Sequence, residues 1–473
     1  MIAAVLVLAS LPGVKAQSVE ESAIYKITID YVFSNSSNYT AKNVVARIYL
    51  FDNWSGWTEQ RVLGESITLD GASLQPEIHD EADNRWARVE LGTLPPHSQK
   101  TVRVTQIVKV SSVQFEIDPA QIENEIPEEY LVYTQPVPNL FESDDPTLRS
   151  LAEEITAGAQ NAYEKALRIF EWILDNIHYV RQLSEHSALY ALQTKTGDCT
   201  EFSNLFVAMA RAAGIPAKVV SGTGFLPLYS IGGQSVDFNE VGHAWAIFYL
   251  PGYGWIPVDA TWPQNRGSFA ELNYEHITGA VTDGEGVVTE GQIRWPGPGQ
   301  ASVTWSYTEP YNPNVAIDTG GTVTPVLLLD LETTAATQIK SDGSLDFTVR
   351  VKNRATSDVS SVRVTLEYDP ESFEAVNVES ERSTLKSGEE WESVLTLRVR
   401  DNAYGENHIV GVRATYTSDY EGVEKSYAAS SEVLLSIPPK PPAIVLVDYQ
   451  TLLLLTAIAV AVGAIAGAVA RKR

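Results

Sequence analysis

A single cysteine occurs in 473 residues, in the stretch TKTGDCTEFSNLF at residues 195–207, between a Gly-Asp turn and an apolar run. Asp198 is placed as a helix N-cap, and Glu201, three residues on, as its capping-box partner. Cys199 then takes the first helical position, where unpaired backbone N–H groups carry roughly half a positive charge. An anion is stabilised there, and the thiolate is the nucleophile of thiol chemistry. Asp198 opposes that stabilisation, so a cationic partner is required. Phe202, Leu205, Phe206 and Met209 form one apolar stripe, and Gly214 and Pro216 end the helix.

A base lies downstream. In VGHAWAIFYLPGYGWIPVDATW, His243 stands in an apolar strand-like run, PGYG turns the chain, and Asp259 follows in a second run. The two are equidistant from residue 251. An antiparallel hairpin therefore sets them opposite or nearly so, on one face and about 5 Å apart. Cysteine, histidine and aspartate in this order supply the nucleophile, base and orienter of thiol acyl transfer. Taken singly, a helical cysteine is ordinarily a small buried hydrophobe, and a histidine in an apolar run is ordinarily a satisfied core residue. The arrival of all three in order favours chemistry. The other histidines, at 79, 97, 178, 186, 276 and 408, are scattered. With no Cys-x-x-Cys or His-Glu-x-x-His pattern, neither a metal nor a cofactor is expected.

The elements that must hold these groups follow from periodicity. Residues 17–140 read as a β-sandwich: Tyr25, Ile27, Ile29, Tyr31 and Phe33 alternate, as do Val44, Ala46, Ile48 and Leu50, and later Val102, Val104, Val108 and Val110. The period changes near residue 144, where Asp145 before Pro146 starts a helix. Tyr163, Ala166, Phe170, Ile173 and Ile177 then recur at helical spacing. Helices first and strands after define an α+β catalytic domain, residues 141–320. From 324 to 437 alternation returns, clearest at Leu345, Phe347, Val349 and Val351, and predicts an Ig-like β-sandwich.

The segments TGDCTEFSNLFVAMARAAGIPAKVVSG, GHAWAIFYLPGYGW and PVDATW resemble the transglutaminase-like superfamily of papain-type cysteine enzymes. The likeness is to a membrane-anchored prokaryotic member of archaeal affinity. It implies a cysteine-headed helix packed on a sheet, with Cys199 as nucleophile, His243 as base and Asp259 as orienter on adjacent strands. Asp259-Ala260-Thr261 stands where Asp-Pro-Thr is usual, and Ala246 and Ile247 stand where the family often has an acidic residue. YEHITG, with His276, resembles the family's closing strand, where the histidine reads as structural. The backbone N–H of Cys199 is one oxyanion donor by position. Gln193 resembles the glutamine that papain-like enzymes use as a second, and Trp172 and Tyr179 are alternatives. Trp245 and Trp255, with Trp262, surround the hairpin and are candidate cleft residues. Residues 222–240 are a candidate cleft loop, or a plain surface loop.

The ends of the chain bear on its location. Residues 1–16 read as a signal peptide lacking a basic start. Residues 438–448 read as a proline-rich linker, and Tyr449 to Ala470 carry no charge over a length sufficient to span a bilayer. The basic tail 471–473 would stay cytoplasmic. Sequons at Asn35, Asn38 and Asn53 fit an exterior location. Removing the three terminal cations takes the formal charge from −26 to −29, which disfavours nucleic acid as a partner. A single cysteine excludes an internal disulfide framework. The expectation is a cell-surface thiol enzyme that forms a thioester with a peptide or glutamine carbonyl and passes the acyl group to water or to an amine. Its partners are a protein or peptide substrate and, through the C-terminal helix, the membrane. An inactive surface binding or adhesion protein is the alternative.

Overall fold

The computed structural model of the protein describes residues 21–440, apart from 82, 124, 226–233, 262–267, 283–295 and 419–424. The expected signal peptide, membrane span and basic tail lie outside the described residues, as do Trp262 and part of the 222–240 loop. Among the described residues, no helix is long and apolar enough to cross a membrane.

Alternation along the first hundred residues does build two sheets, but they are completed from far away in the chain. One has the order Val236–Asp237, Val315–Leu327, Ser22–Asn35, Ser98–Ser111, Glu59–Leu69, Ala72–Leu74. The other has the order Ala301–Ser306, Ala41–Tyr49, Asn84–Leu94, Glu77–Glu81. The sequence reading groups 301–320 with the catalytic domain, yet Ala301–Ser306 and Val315–Leu327 hydrogen-bond into this first sandwich, from Ala301↔Ile48 and Ile24↔Leu327 onward. Local patterning cannot show such pairings, because each strand is satisfied by any neighbour with a matching apolar face. Of the three sequons, Asn35 is buried and its amide donates to the carbonyls of Tyr39, Leu94 and Pro95, so it is not open to glycosylation. Asn38 and Asn53 are exposed.

Four helices follow: α1 (Pro146–Ile155), α2 (Ala162–Asn176), α3 (Ala188–Thr194) and α4 (Cys199–Ala212). Asp145 caps α1 by accepting from the Thr147 and Leu148 N–H groups, with Pro146 in the first turn. Helix α4 is buried along its whole length from Thr200 to Arg211, not only on the predicted stripe. Its polar residues are tolerated because they are bonded: Ser203 donates to the Cys199 carbonyl at 2.7 Å and Asn204 to the His186 carbonyl at 2.8 Å.

Beside α4 lies an antiparallel sheet of order Ser268–Phe269, Gly254–Asp259, Gly242–Leu250, Ala217–Gly224, His276–Thr282. One apolar cluster joins its aliphatic face to the helices, through Phe206, Phe248, Ile256 and Phe170 among others. Residues 329–436 form two four-stranded antiparallel sheets with Leu345, Phe347, Val349 and Val351 turned inward.

Candidate active site

The capping box at the head of α4 forms as its residue types require. Asp198 accepts from the Thr200 N–H at 3.1 Å, and the Glu201 carboxylate accepts from the Asp198 N–H at 2.8 Å. The second oxygen of each carboxylate reaches outward. Asp198 Oδ2 takes the Gln182 N–H at 3.0 Å and Glu201 Oε1 takes the His186 N–H at 2.6 Å. The cap therefore also fastens the loop beside the cysteine. Burial of Glu201, then the nearby Asp198 charge, outweighs these bonds and raises its carboxyl to about 7.

His243 comes from the hairpin, but its register is not the one that spacing suggests. The pairs run Ala246↔Val258, Ile247↔Pro257 and Leu250↔Gly254, which centres the turn on residue 252. Continued by one pair, the same register sets Asp259 against Trp245, so His243 and Asp259 are diagonal neighbours. The shift moves the partner by two residues and so preserves the face. His243 Nε2 meets Asp259 Oδ2 at 2.8 Å. Cys199 lines the same cavity as His243 and favours the charged form of its imidazole; since Nε2 is engaged by the carboxylate, Nδ1 is the nitrogen left for sulfur.

Asp259 is 1% exposed and accepts four bonds. Oδ1 takes the Thr261 N–H at 2.8 Å and its hydroxyl at 2.7 Å, and Oδ2 takes His243 and also His276 Nε2 at 3.1 Å. Burial pushes the Asp259 carboxyl up, but the two histidines outweigh it and hold the group well below the usual carboxylate range. For His243 burial opposes the charge, while Asp259 and then Cys199 more than offset it, and the imidazole is pushed up to about 10.

Glycines make room for this convergence. His243 pairs across the Ala217–Gly224 strand with Gly222, and His276 pairs with Gly224 from the other side. A Cβ on Gly224 would come within 3.2 Å of the His243 ring, and one on Gly222 within 2.3 Å of the Ile277 carbonyl. His243, Asp259 and His276 are the one group of potential metal ligands among the described residues. Their 2.8 and 3.1 Å contacts are those of hydrogen bonds, so shared protons account for the cluster and no ion is assigned.

Cys199, His243 and Thr261 open onto a cavity of about 1270 Å³ that is also lined by Phe51, Val303 and Trp305 of the first sandwich. Gln182, Tyr179 and Gly222 also line it. Gln193 does not: it is exposed on α3 and absent from the cavity wall. Trp245 is fully buried behind His243, with ring centroids 5.7 Å apart, and does not face the cavity. Trp255 packs against Tyr130, Tyr133 and Tyr249, with the Lys218 ammonium 4.9 Å from its ring, away from the cysteine. Trp172 is partly buried under Lys195. Of the expected oxyanion donors, the Cys199 amide and Tyr179 remain at the site. His276, which the YEHITG resemblance marks as structural, is bonded to the carboxylate of Asp259, and Gly222 and Gly224 clear the strand it reaches across.

Residues 149–260 match the family model described as the Transglutaminase-like superfamily, so the chain carries a transglutaminase-like domain. It is 33% identical over 73 residues to a Pseudomonas aeruginosa protein-glutamine gamma-glutamyltransferase, covering 15% of this chain and 11% of that one. It is 31% identical over 126 residues to the mouse kyphoscoliosis peptidase, covering 24% of this chain and 18% of that one. The crystal structure of a candidate cysteine protease from Cytophaga hutchinsonii aligns with a TM-score of 0.41 and 19% identity, over 64% of this chain and 98% of the other. The chain spans between 11% and 36% of the length of the curated relatives it matches. These are bacterial and mammalian, so an archaeal affinity finds no support.

Proposed function

We propose that the protein is a cysteine acyl-transfer enzyme with Cys199 as nucleophile, His243 as general base and acid, and Asp259 as orienter. The observation that carries this reading is that Cys199 and His243 line one cavity and that His243 is bonded to a buried Asp259, which Thr261 and His276 also hold. The His243 proton is held on the imidazole, and the sulfur attacks a peptide or glutamine carbonyl. The developing oxyanion lies at the head of α4, where the Cys199 N–H points at it. His243 then gives its proton to the departing amine, leaving a thioester, and takes one from the incoming acceptor.

Water is the favoured acceptor. The cavity at Cys199 is broad, and neither Trp245 nor Trp255 borders it, so no dry aromatic channel for an amine is built from them. Excluding water is what transfer to an amine demands. The relatives' names include both a peptidase and a glutamyltransferase. We place the enzyme at the cell surface on the strength of the uncharged 449–470 segment alone. The deciding experiment incubates the protein with a glutamine-bearing protein and a labelled primary amine. Peptide cleavage or ammonia release without amine, lost in Cys199→Ala, supports hydrolysis. Label incorporation with no such release points to transfer, and a Cys199→Ala protein as active as wild type removes the enzyme reading.

A further inference from the structure

His276 lies outside the matched residues 149–260, yet it is 1% exposed and bonded to the carboxylate that orients His243. Its two ring nitrogens both face acceptors. Nδ1 lies 2.7 Å from Asn273 Oδ1, and Nε2 lies 3.1 Å from Asp259 Oδ2. The Asn273 amide is oriented by two further bonds: its Nδ2 donates to Glu275 at 3.0 Å, and its Oδ1 accepts the Glu275 N–H at 3.2 Å. That leaves oxygen, not nitrogen, toward His276. A neutral imidazole has only one N–H and cannot donate in both directions. The arrangement therefore calls for a second proton on His276, next to a His243 that also carries one.

We propose that His276 is a positioning residue that competes with His243 for the charge of Asp259, and so, where it is itself charged, sets how readily His243 releases its proton. The two rings sit 5.6 Å apart, and both contact the same oxygen. Protonating either imidazole makes the other harder to protonate, because one carboxylate must serve both. The groups around His276 are Asp259 and His243 from strands beyond the intervening Ala217–Gly224, Glu275 on its own segment, and the Trp245 ring set edge-on at 5.2 Å. Burial works against the second proton, as does the His243 charge, and they outweigh Asp259 so that His276 titrates below an ordinary histidine. Its charge is therefore conditional on that of His243, which is the behaviour a tuning group requires. Gly222 and Gly224, which clear the strand between the two rings, make the pairing sterically possible.

The proposal rests on Cys199 being the nucleophile, and the test separates the two. Cys199 is the only thiol, so iodoacetamide labelling of the full-length protein reads this site alone. In wild type, labelling should be faster than for a free thiol and slowed by His243→Ala; its pH profile should show an upper inflection where His243 loses its proton. His276→Gln keeps an N–H donor toward Asp259 but cannot carry charge. Because His276 titrates below an ordinary histidine and is neutral where His243 releases its proton, the variant should leave that inflection in place and remove a second, lower one that wild type shows where His276 gains its charge. Labelling with a superimposable profile in His276→Gln, while His243→Ala still slows it, would overturn this proposal and leave the nucleophile standing. Slow, His243-independent labelling in wild type would sink both. Should His276→Gln fail to fold, ¹⁵N-histidine spectra of wild type decide the matter. Two mutually dependent imidazole titrations support the proposal, and two independent ones overturn it.

Discussion

The proposed catalytic centre and the C-terminal pair of sheets handle charge in opposite ways. Between residues 329 and 436 the inward face is aliphatic and aromatic, with Phe347, Val349 and Leu395 fully buried. Many of the ion pairs there lie outside: Arg350 meets Glu392 at 3.0 Å with the side chains 45% and 52% exposed, while Arg354 and Asp330 are partly buried. Around Cys199 the pattern inverts, and Glu201, Asp259 and His276 are withdrawn from solvent and linked to one another's neighbours by hydrogen bonds. Burying an ion costs several kcal/mol unless it is closely paired. The buried network around Cys199 is the feature that the proposed use of protonation states at this site would require.

The largest effect should come from breaking that network at its centre. Asp259→Asn leaves the shape but removes the charge and the tautomer control, and Cys199-dependent turnover should fall by roughly 10³–10⁴. A loss under tenfold would mean that Asp259 is structural. In the sheets, Phe347→Ala should cost about 3–5 kcal/mol of stability, yet leave the labelling rate of Cys199 in the folded fraction unchanged. A change in that rate would show that the two regions are coupled, and the contrast between them would fail.

Glu201 gives a pH-dependent test of the same comparison. Its carboxyl, raised from 4.5 to about 7, holds its proton more tightly folded than unfolded. Its contribution is thus fully present below about pH 4.5 and is lost as pH rises through about 7, a change on the order of 2–3 kcal/mol. Thermal melts of wild type between pH 5 and 8 should show that fall, and Glu201→Gln should flatten it. Equal slopes would place the ionisation elsewhere. The smallest effect belongs to Arg350→Ala, which should leave the melting temperature almost unchanged, because an exposed pair is screened by water and salt. A measurably larger cost would contradict the view that charge in this domain is decorative.

Much of the site was legible in sequence because its signals are local. The capping box needs only Asp198 and Glu201 three residues apart. The face shared by His243 and Asp259 survives a two-residue error in register, since side-chain direction in a strand repeats every two residues. Gln193 was misplaced because its distance from Cys199 says nothing about where α3 ends. Lys195 takes a left-handed conformation, φ 58°, at the end of that helix, and the turn leaves Gln193 on the outside. Trp255 misled for a related reason, since a large aromatic beside a hairpin satisfies packing and binding equally well until its neighbours are known.

By itself the sequence determined that Cys199 heads a helix and that a histidine and an aspartate share one strand face, because capping and alternation are set by residues within a few positions of one another. Only the tertiary structure decided that strands 301–306 and 315–327 return to complete the first sandwich and line the same cavity as the cysteine. It alone decided that His276, across an intervening strand cleared by Gly222 and Gly224, joins His243 on Asp259. Those outcomes depend on which apolar faces and strand edges meet, and many pairings satisfy the same pattern. The choice among them is a sum of long-range contacts that no short stretch of chain contains.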